Sequence, residues 1–437
     1  MTARLFTGPE AKELSQETAQ EPIAQCLFSG PSKHPRLVVS PGGENKGGAD
    51  VSYKILSLDG GGTWAMLEAM ALKNLYGSST RGHEVLGQFD LVAANSGGAF
   101  ILGALRENWT LQETFDFFFT EATRKRVFAS RGFSIVWPFE KLLGIGYRYD
   151  TKKKFTALQS MFPAQGIKPL STLGDSFNGS ARHTDFLIVG FNYDTVRAAY
   201  FRSNIASLAS SGGGGADPTL NEAIHISSTA PVNYFDAPAA VSGCRYWDGA
   251  VAGVNNPALA GVIEALRNKK IAETIHVLSL GSGAMRLPLA SNAPGTDATL
   301  VQDLPDYSVK RDIKKIAHAI LDDPPDAATF VAHVSMGGVD ATPRIIRMNP
   351  VLRPVRDAAG KWQAPPGLTL LQFQKLRDLD FDVLKQDDAD FIRIFGEAWL
   401  ADTVPNQPIQ MDGGTFAQTI PYESYSQAKA AWLALPA

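Results

Sequence analysis

The chain has 437 residues, 41 Lys plus Arg against 44 Asp plus Glu, a formal net charge of −3 and 44% hydrophobic residues. That balance excludes the global basic footprint of a general nucleic-acid binder. Its two cysteines, Cys26 and Cys244, show neither zinc-ligand spacing nor a disulfide framework, which suits a reducing compartment without proving one. Taken in chain order, Met1 to Gln25 is polar and acidic with no apolar h-region, so no Sec signal peptide is expected, although secretion by a dedicated system stays open. Residues 1–50 read as a flexible tail. Their Ser-Pro-Gly-Gly stretch from Ser40 to Gly48 has little to bury against its ordering entropy.

From Val51 strands and helices alternate. Lys54 to Leu58 is a short apolar strand ending in Asp59-Gly60-Gly61-Gly62, and Thr63 to Tyr76 has the apolar spacing of a helix. Phe89 to Ala93 is a second strand, running into a glycine turn and a small-residue helix. The surrounding run, Leu91 to Leu105, is the most apolar of the chain but falls short of the roughly 20 residues a membrane span needs. Phe186 to Val189 and His276 to Leu280 are further strands, and Asn256-Pro257 opens a helix through Leu266. Ser210 to Gly215 and Ser291 to Thr299 read as surface loops. Val309 to Leu321 is an amphipathic helix, Arg344 to Met348 a strand, and charged helices follow through Leu400. No internal repeat is present. The pattern is an α/β fold of three layers, α/β/α, with a mainly parallel central sheet.

Ser96 is the sharpest chemical candidate. In Ala94-Asn95-Ser96-Gly97-Gly98 it sits between a strand and a helix, one residue away from the G-x-S-x-G elbow, with small residues where such a turn is crowded. The helix N-terminus would favour negative charge developing there. A buried turn serine fits the same five residues. Asp59-Gly60-Gly61-Gly62 likewise joins a strand to a helix, an arrangement whose backbone amides can face a phosphate or an oxyanion; it fits a tight turn with Asp59 as local acceptor equally well. None of the seven histidines is an evident base. Asp248, delivered by Arg245-Tyr246-Trp247 into the turn Gly249-Ala250, is better placed, although an isolated Asp-Gly is usually only a turn.

Taken together, the DGGG loop, the strand and elbow Phe89 to Gly98, Ser227 to Phe235, Asp248-Gly249-Ala250 with Asn255-Asn256-Pro257, and Leu278 to Gly283 occur in the order that resembles the patatin-like phospholipases. The resemblance is clear from Val51 to Gly283 and loose beyond. It implies a catalytic core over 51–290 that residues 291–437 complete within one domain. It also implies a Ser-Asp dyad: Ser96 as nucleophile, Asp248 as general base, and the amides of Gly60, Gly61, Gly62 and Thr63, with that of Gly97, as the oxyanion hole. No cofactor and no metal is implied. Three positions depart from the family pattern: Trp64 and Ala65 stand for the Arg and Gly of DGGGxRG, and Ala94 for the first elbow glycine. Gly98 keeps the last one.

A lipid hydrolase must meet its substrate at a membrane or micelle surface. Glu121 to Phe155 holds nine basic residues against three acids, interleaved with aromatic ones, so Arg124, Lys125, Arg126, Lys152, Lys153 and Lys154 are candidates to face an anionic membrane. The alternative is a solvated helical cap whose aromatics, with Phe117-Phe118-Phe119, pack on the core. Location is expected to be cytoplasmic or peripheral to a membrane, with no nucleic-acid partner and the oligomeric state left open. Two other readings compete: a catalytically weak lipid-binding relative, and an ATP-dependent sugar kinase using Leu58-Asp59-Gly60-Gly61-Gly62-Thr63 for phosphate, which leaves Ser96 and Asp248 unexplained.

Overall fold

The computed structural model describes residues 52–130, 147–204, 217–231, 234–268, 270–302, 324–337, 344–406, 409–410 and 419–435. The tail over 1–50, the middle of the basic segment, the glycine loop at 210–215 and the helix expected over 309–321 lie outside the described residues. The parallel strands are β1 (Tyr53–Leu58), β2 (Leu91–Ala94), β3 (Asp185–Asn192), β7 (Ile275–Leu280) and β9 (Ile345–Met348). Three antiparallel strands, β4 (Arg197–Arg202), β5 (Ala239–Val241) and β6 (Cys244–Asp248), complete an eight-stranded sheet ordered β5-β6-β3-β2-β1-β7-β9, with β4 on β3. Outside it, β8 (Ala284–Met285) pairs with β10 (Val351–Leu352).

Both faces of the sheet are covered, as near-continuous apolar parallel strands require. Ile55, Leu91, Ala93, Leu187, Val277 and Ile345 pack on one side against Ala258, Val262 and Ala265 of the helix Ala258–Arg267. The alternating residues Leu56, Leu58, Val92, Ala94, Ile188 and Leu278 face the other, larger core. There α1 (Met66–Tyr76), α2 (Gly82–Leu86), α3 (Ser96–Arg106), α4 (Leu111–Phe119), α5 (Glu121–Val127), α6 (Thr151–Met161) and α7 (Leu220–Ser227) gather. The C-terminal third joins the same sheet through β9 and the same core through Phe395 and Trp399 of the helix Gln386–Leu400.

Three local expectations need correction. Pro257 sits just before its helix rather than in the first turn, and Asn256 accepts from the Ala258 amide at 2.9 Å. Ser291–Thr299 is bounded by single turns of 3-10 helix. Cys244, which opens β6, is disulfide-bonded, so the two cysteines do not support the reading of compartment drawn from them.

The sheet register places the chemistry. Over Leu187–Asn192 one edge of β3 is taken by β4, so β2 and β6 must share the other edge. They arrive from opposite ends. Ala94 at the end of β2 lies opposite Ile188, and Asp248 at the end of β6 lies opposite Gly190. Two residues of β3, about 7 Å, therefore separate the points where the two strands stop. The first releases Ser96, and the second stops at Asp248.

Candidate active site

Ser96 opens α3 with φ of 45°, a left-handed conformation that an L side chain adopts only under strain. The close packing of the turn enforces it. A Cβ on Gly98 would lie 2.5 Å from the Leu58 carbonyl oxygen, and one on Gly97 would lie 2.7 Å from Ala65 Cβ. Gly98 N–H donates to the Asp59 carbonyl at 2.9 Å, and Ser96 N–H to Ser227 Oγ at 2.9 Å. Ala94, where the elbow pattern has glycine, is buried in the larger core without disturbing the strand.

Asp248 is buried, and its carboxylate lies close enough to the Ser96 side chain for the serine to hold its pKa down. Its Oδ1 also accepts from Ala250 N–H at 2.9 Å and Asn95 Nδ2 at 3.1 Å. Burial pushes its pKa above the usual carboxylate range; the Ala250 amide, Ser96, Asn95 and the charge of Lys154 pull the other way without cancelling it. A carboxylate in contact with a serine and disposed to take a proton has the two properties a general base needs.

The glycine loop closes over this pair. A Cβ on Gly60 would come within 3.1 Å of Ser96 Cβ, and the Cβ position of Gly97 lies 3.1 Å from Gly62 N. Gly60 N–H is committed to the Asn255 carbonyl at 2.8 Å and Thr63 N–H to the Phe381 carbonyl at 3.0 Å. Those two amides are thus engaged within the fold, which narrows the donor set expected from the sequence. The amides of Gly61, Gly62 and Gly97 have no acceptor among the described residues. The Asp59 carboxylate pairs with buried Arg347 of β9 at 2.6 Å.

With this geometry in place, comparison with known families points to the same region: the model of the patatin-like phospholipase family matches residues 56–262. Over those residues the chain is similar to a patatin-like phospholipase domain. Among solved structures, that of VipD from Legionella pneumophila is similar with a TM-score of 0.35 and 10% identity, over 80% of this chain and 67% of that one. No curated protein matches the chain in sequence.

Beside Ser96 lies a cavity of ≈ 810 Å³ including its open mouth. Phe100, Phe117, Phe118, Val127, Phe128 and Phe235 make its walls apolar, and Ser96, Asp248 and the Gly61-Gly62 loop stand at one side. Phe117 and Phe118, expected as core, therefore also face the cavity. Among the described residues no cluster of His, Cys, Asp and Glu could hold a metal ion, and no helix is long and apolar enough to cross a membrane.

Two of the six expected membrane-facing residues are buried. Lys154 is fully enclosed, its Nζ donating to the His225 carbonyl at 3.0 Å, Ser228 Oγ at 3.2 Å and Thr229 Oγ1 at 2.6 Å, with the Phe235 ring 4.3 Å away. Burial pushes its pKa well below that of an ordinary lysine, against the attraction of Asp248. Arg124 is buried too and donates to the carbonyls of Phe118, Phe119, Leu384 and Lys385. Lys125, Arg126, Lys152 and Lys153 are exposed on α5 and α6. Sequence reasoning missed Asn95, Ser227, Lys154, Arg347 and the segment around Phe381.

Proposed function

We propose that this protein is a lipid acyl hydrolase of the phospholipase A or lysophospholipase type, cleaving carboxylic esters of glycerolipids through an acyl-enzyme on Ser96. The observation that carries this reading is that Ser96, held at positive φ, and buried Asp248 stand together at the side of one apolar cavity. Ser96 Oγ attacks the ester carbonyl carbon while Asp248 takes its proton. The oxyanion forms where the free amides of Gly61, Gly62 and Gly97 converge, and the dipole of α3 adds to them. Collapse breaks the C–O bond to the alcohol, which leaves with the proton from Asp248. Water then attacks the acyl-enzyme, again losing its proton to Asp248, and Ser96 departs as the hydroxyl.

The aromatic walls supply substrate choice. Each buried methylene contributes about 0.8 kcal/mol, so an acyl chain of about eight carbons gains roughly 6 kcal/mol there. Neither the kinase reading nor a simple turn accounts for a serine held at positive φ against a desolvated carboxylate.

A fluorophosphonate should label Ser96, and Ser96→Ala and Asp248→Asn should each lower hydrolysis of a short-chain nitrophenyl ester at least about a thousandfold. Full labelling and turnover in Ser96→Ala would remove the dyad. Lipid binding without labelling of the wild-type protein would instead identify a non-catalytic relative. The exposed cations Lys125, Arg126, Lys152 and Lys153 support peripheral contact with an anionic lipid surface.

A further inference from the structure

The segment Leu379–Lys385, between the helices Leu370–Asp378 and Gln386–Leu400, lies beyond the residues matched by the family model, yet it reaches the glycine loop. Three hydrogen bonds join them. Thr63 N–H donates to the Phe381 carbonyl at 3.0 Å, Thr63 Oγ1 to the Val383 carbonyl at 3.2 Å, and Trp64 Nε1 to the Asp380 carbonyl at 3.0 Å. The contact is tight. Gly62 has φ of +56°, and a Cβ there would lie 2.7 Å from the Phe381 carbonyl oxygen.

The segment is also anchored to residues in and beside the cavity wall. Asp380 accepts from Tyr234 at 2.5 Å and from Arg148 at 3.1 Å; Asp382 accepts from Arg148 at 2.9 Å and from Tyr149. Buried Arg124 holds the carbonyls of Leu384 and Lys385 at 3.1 Å. Phe381 and Tyr234 both line the cavity. The segment is therefore a strap, bonded both to the glycine loop and to Arg148, Tyr149 and Tyr234.

From this geometry we infer that Trp64 and the strap Asp380–Val383 are positioning elements for the oxyanion hole, setting the direction of the Gly61 and Gly62 amides. The inference rests on the acyl-hydrolase reading above. The physical reason is that a loop of three glycines has little conformational preference of its own, while its amides must be aimed before reaction to stabilise an oxyanion. Thr63 and Trp64 are the first residues after those glycines with side chains to hold. Bonds from both of them to consecutive parts of one segment remove that freedom. Trp64 stands where the family pattern has arginine, and here its indole N–H is the donor that reaches Asp380.

The test is Trp64→Phe in the full chain, which keeps one aromatic ring near Phe395, 6.3 Å away in the wild type, and removes the N–H donor together with the second ring. Active sites are titrated with a fluorophosphonate, and kcat is expressed per titrated site, so that loss of folded protein is separated from loss of rate. The expected result is a kcat lower by about tenfold with KM within about twofold. Thr63→Val, which removes the bond to Val383, should act in the same direction. Wild-type kcat per site in both variants overturns the inference, as does a loss confined to KM. If Ser96→Ala remains active, the hydrolase reading itself fails; if Ser96→Ala is inactive while Trp64→Phe and Thr63→Val are wild type, only the strap inference fails.

Discussion

Replacing Asn95 by alanine probes the connection between Ser96 and Asp248, the proposed nucleophile and base. Asn95 is wholly buried, and its Nδ2 donates to Asp248 Oδ1 at 3.1 Å while its Oδ1 accepts from Ser227 Oγ at 3.1 Å. The Ser227 oxygen in turn accepts from Ser96 N–H at 2.9 Å. One side chain thus orients the carboxylate and, through a single hydroxyl, the backbone of the nucleophile. A bond to a charged group is worth roughly 1.5–3 kcal/mol and a neutral one roughly 0.5–1.5 kcal/mol, so Asn95→Ala should destabilise the fold by about 2–4 kcal/mol. Its effect on the reaction has two parts. Loss of a donor that favours the charged form pushes the Asp248 pKa further up, which moves the acid limb of kcat/KM to higher pH. Loss of orientation costs rate on the plateau; roughly 1.4–2.8 kcal/mol corresponds to a 10- to 100-fold lower kcat. Steady-state kinetics with a short-chain nitrophenyl ester across the acid limb, alongside urea unfolding, measures all three. A variant with the wild-type acid limb and full kcat per site would refute the role of Asn95, whatever its stability.

Lys154→Met removes a buried cation whose charge lowers the Asp248 pKa, so the acid limb of kcat/KM should again move to higher pH. The lysine pKa is depressed in the fold, so the unfolded chain binds the extra proton as pH falls below the usual lysine range; that penalty disappears in the variant, whose stability should therefore fall less than the wild type's as pH drops from the lysine range towards neutrality. An unshifted acid limb would show that Lys154 does not act on Asp248. Exchanging exposed Lys125, Arg126, Lys152 and Lys153 for glutamine should weaken sedimentation with anionic liposomes and flatten its salt dependence while leaving the cavity intact. Equal binding at every salt concentration would remove these helices from the interface.

Much of the site was legible because its signals are local. The strands β1, β2 and β7 are short apolar runs that lead into glycine turns, and the close approaches at Gly60, Gly97 and Gly98 explain why nothing larger stands there. The burial of Lys154 was also legible, though not from composition: Thr151, Lys154, Ala157, Leu158 and Met161 share the inner face of α6 at helical spacing, while Lys152 and Lys153 fall outside it. Counting charge over the segment hid that distinction. The links Asp59 to Arg347 and Trp64 to Asp380 span 288 and 316 positions. Such pairs leave no periodic trace, since each partner reads locally as an ordinary surface charge or aromatic. Asn95 was passed over for a different reason: in a five-residue elbow it occupies a position that the pattern leaves open.

The buried charges suggest why these distant residues belong to the same site. Two buried carboxylates end the strands that lead into the site: Asp59 pairs with Arg347 of β9, and Asp248 lies in the field of Lys154 of α6. An isolated buried carboxylate at Asp59 would carry a desolvation penalty of several kcal/mol, so the glycine loop that follows it depends on a strand from the C-terminal third. On the proposed mechanism, proton transfer from Ser96 would neutralise Asp248 while negative charge builds on the substrate oxygen, and positive charge at Lys154 would favour return of that proton to the departing alcohol. Removal of Lys154 should therefore appear in the pH profile of the reaction.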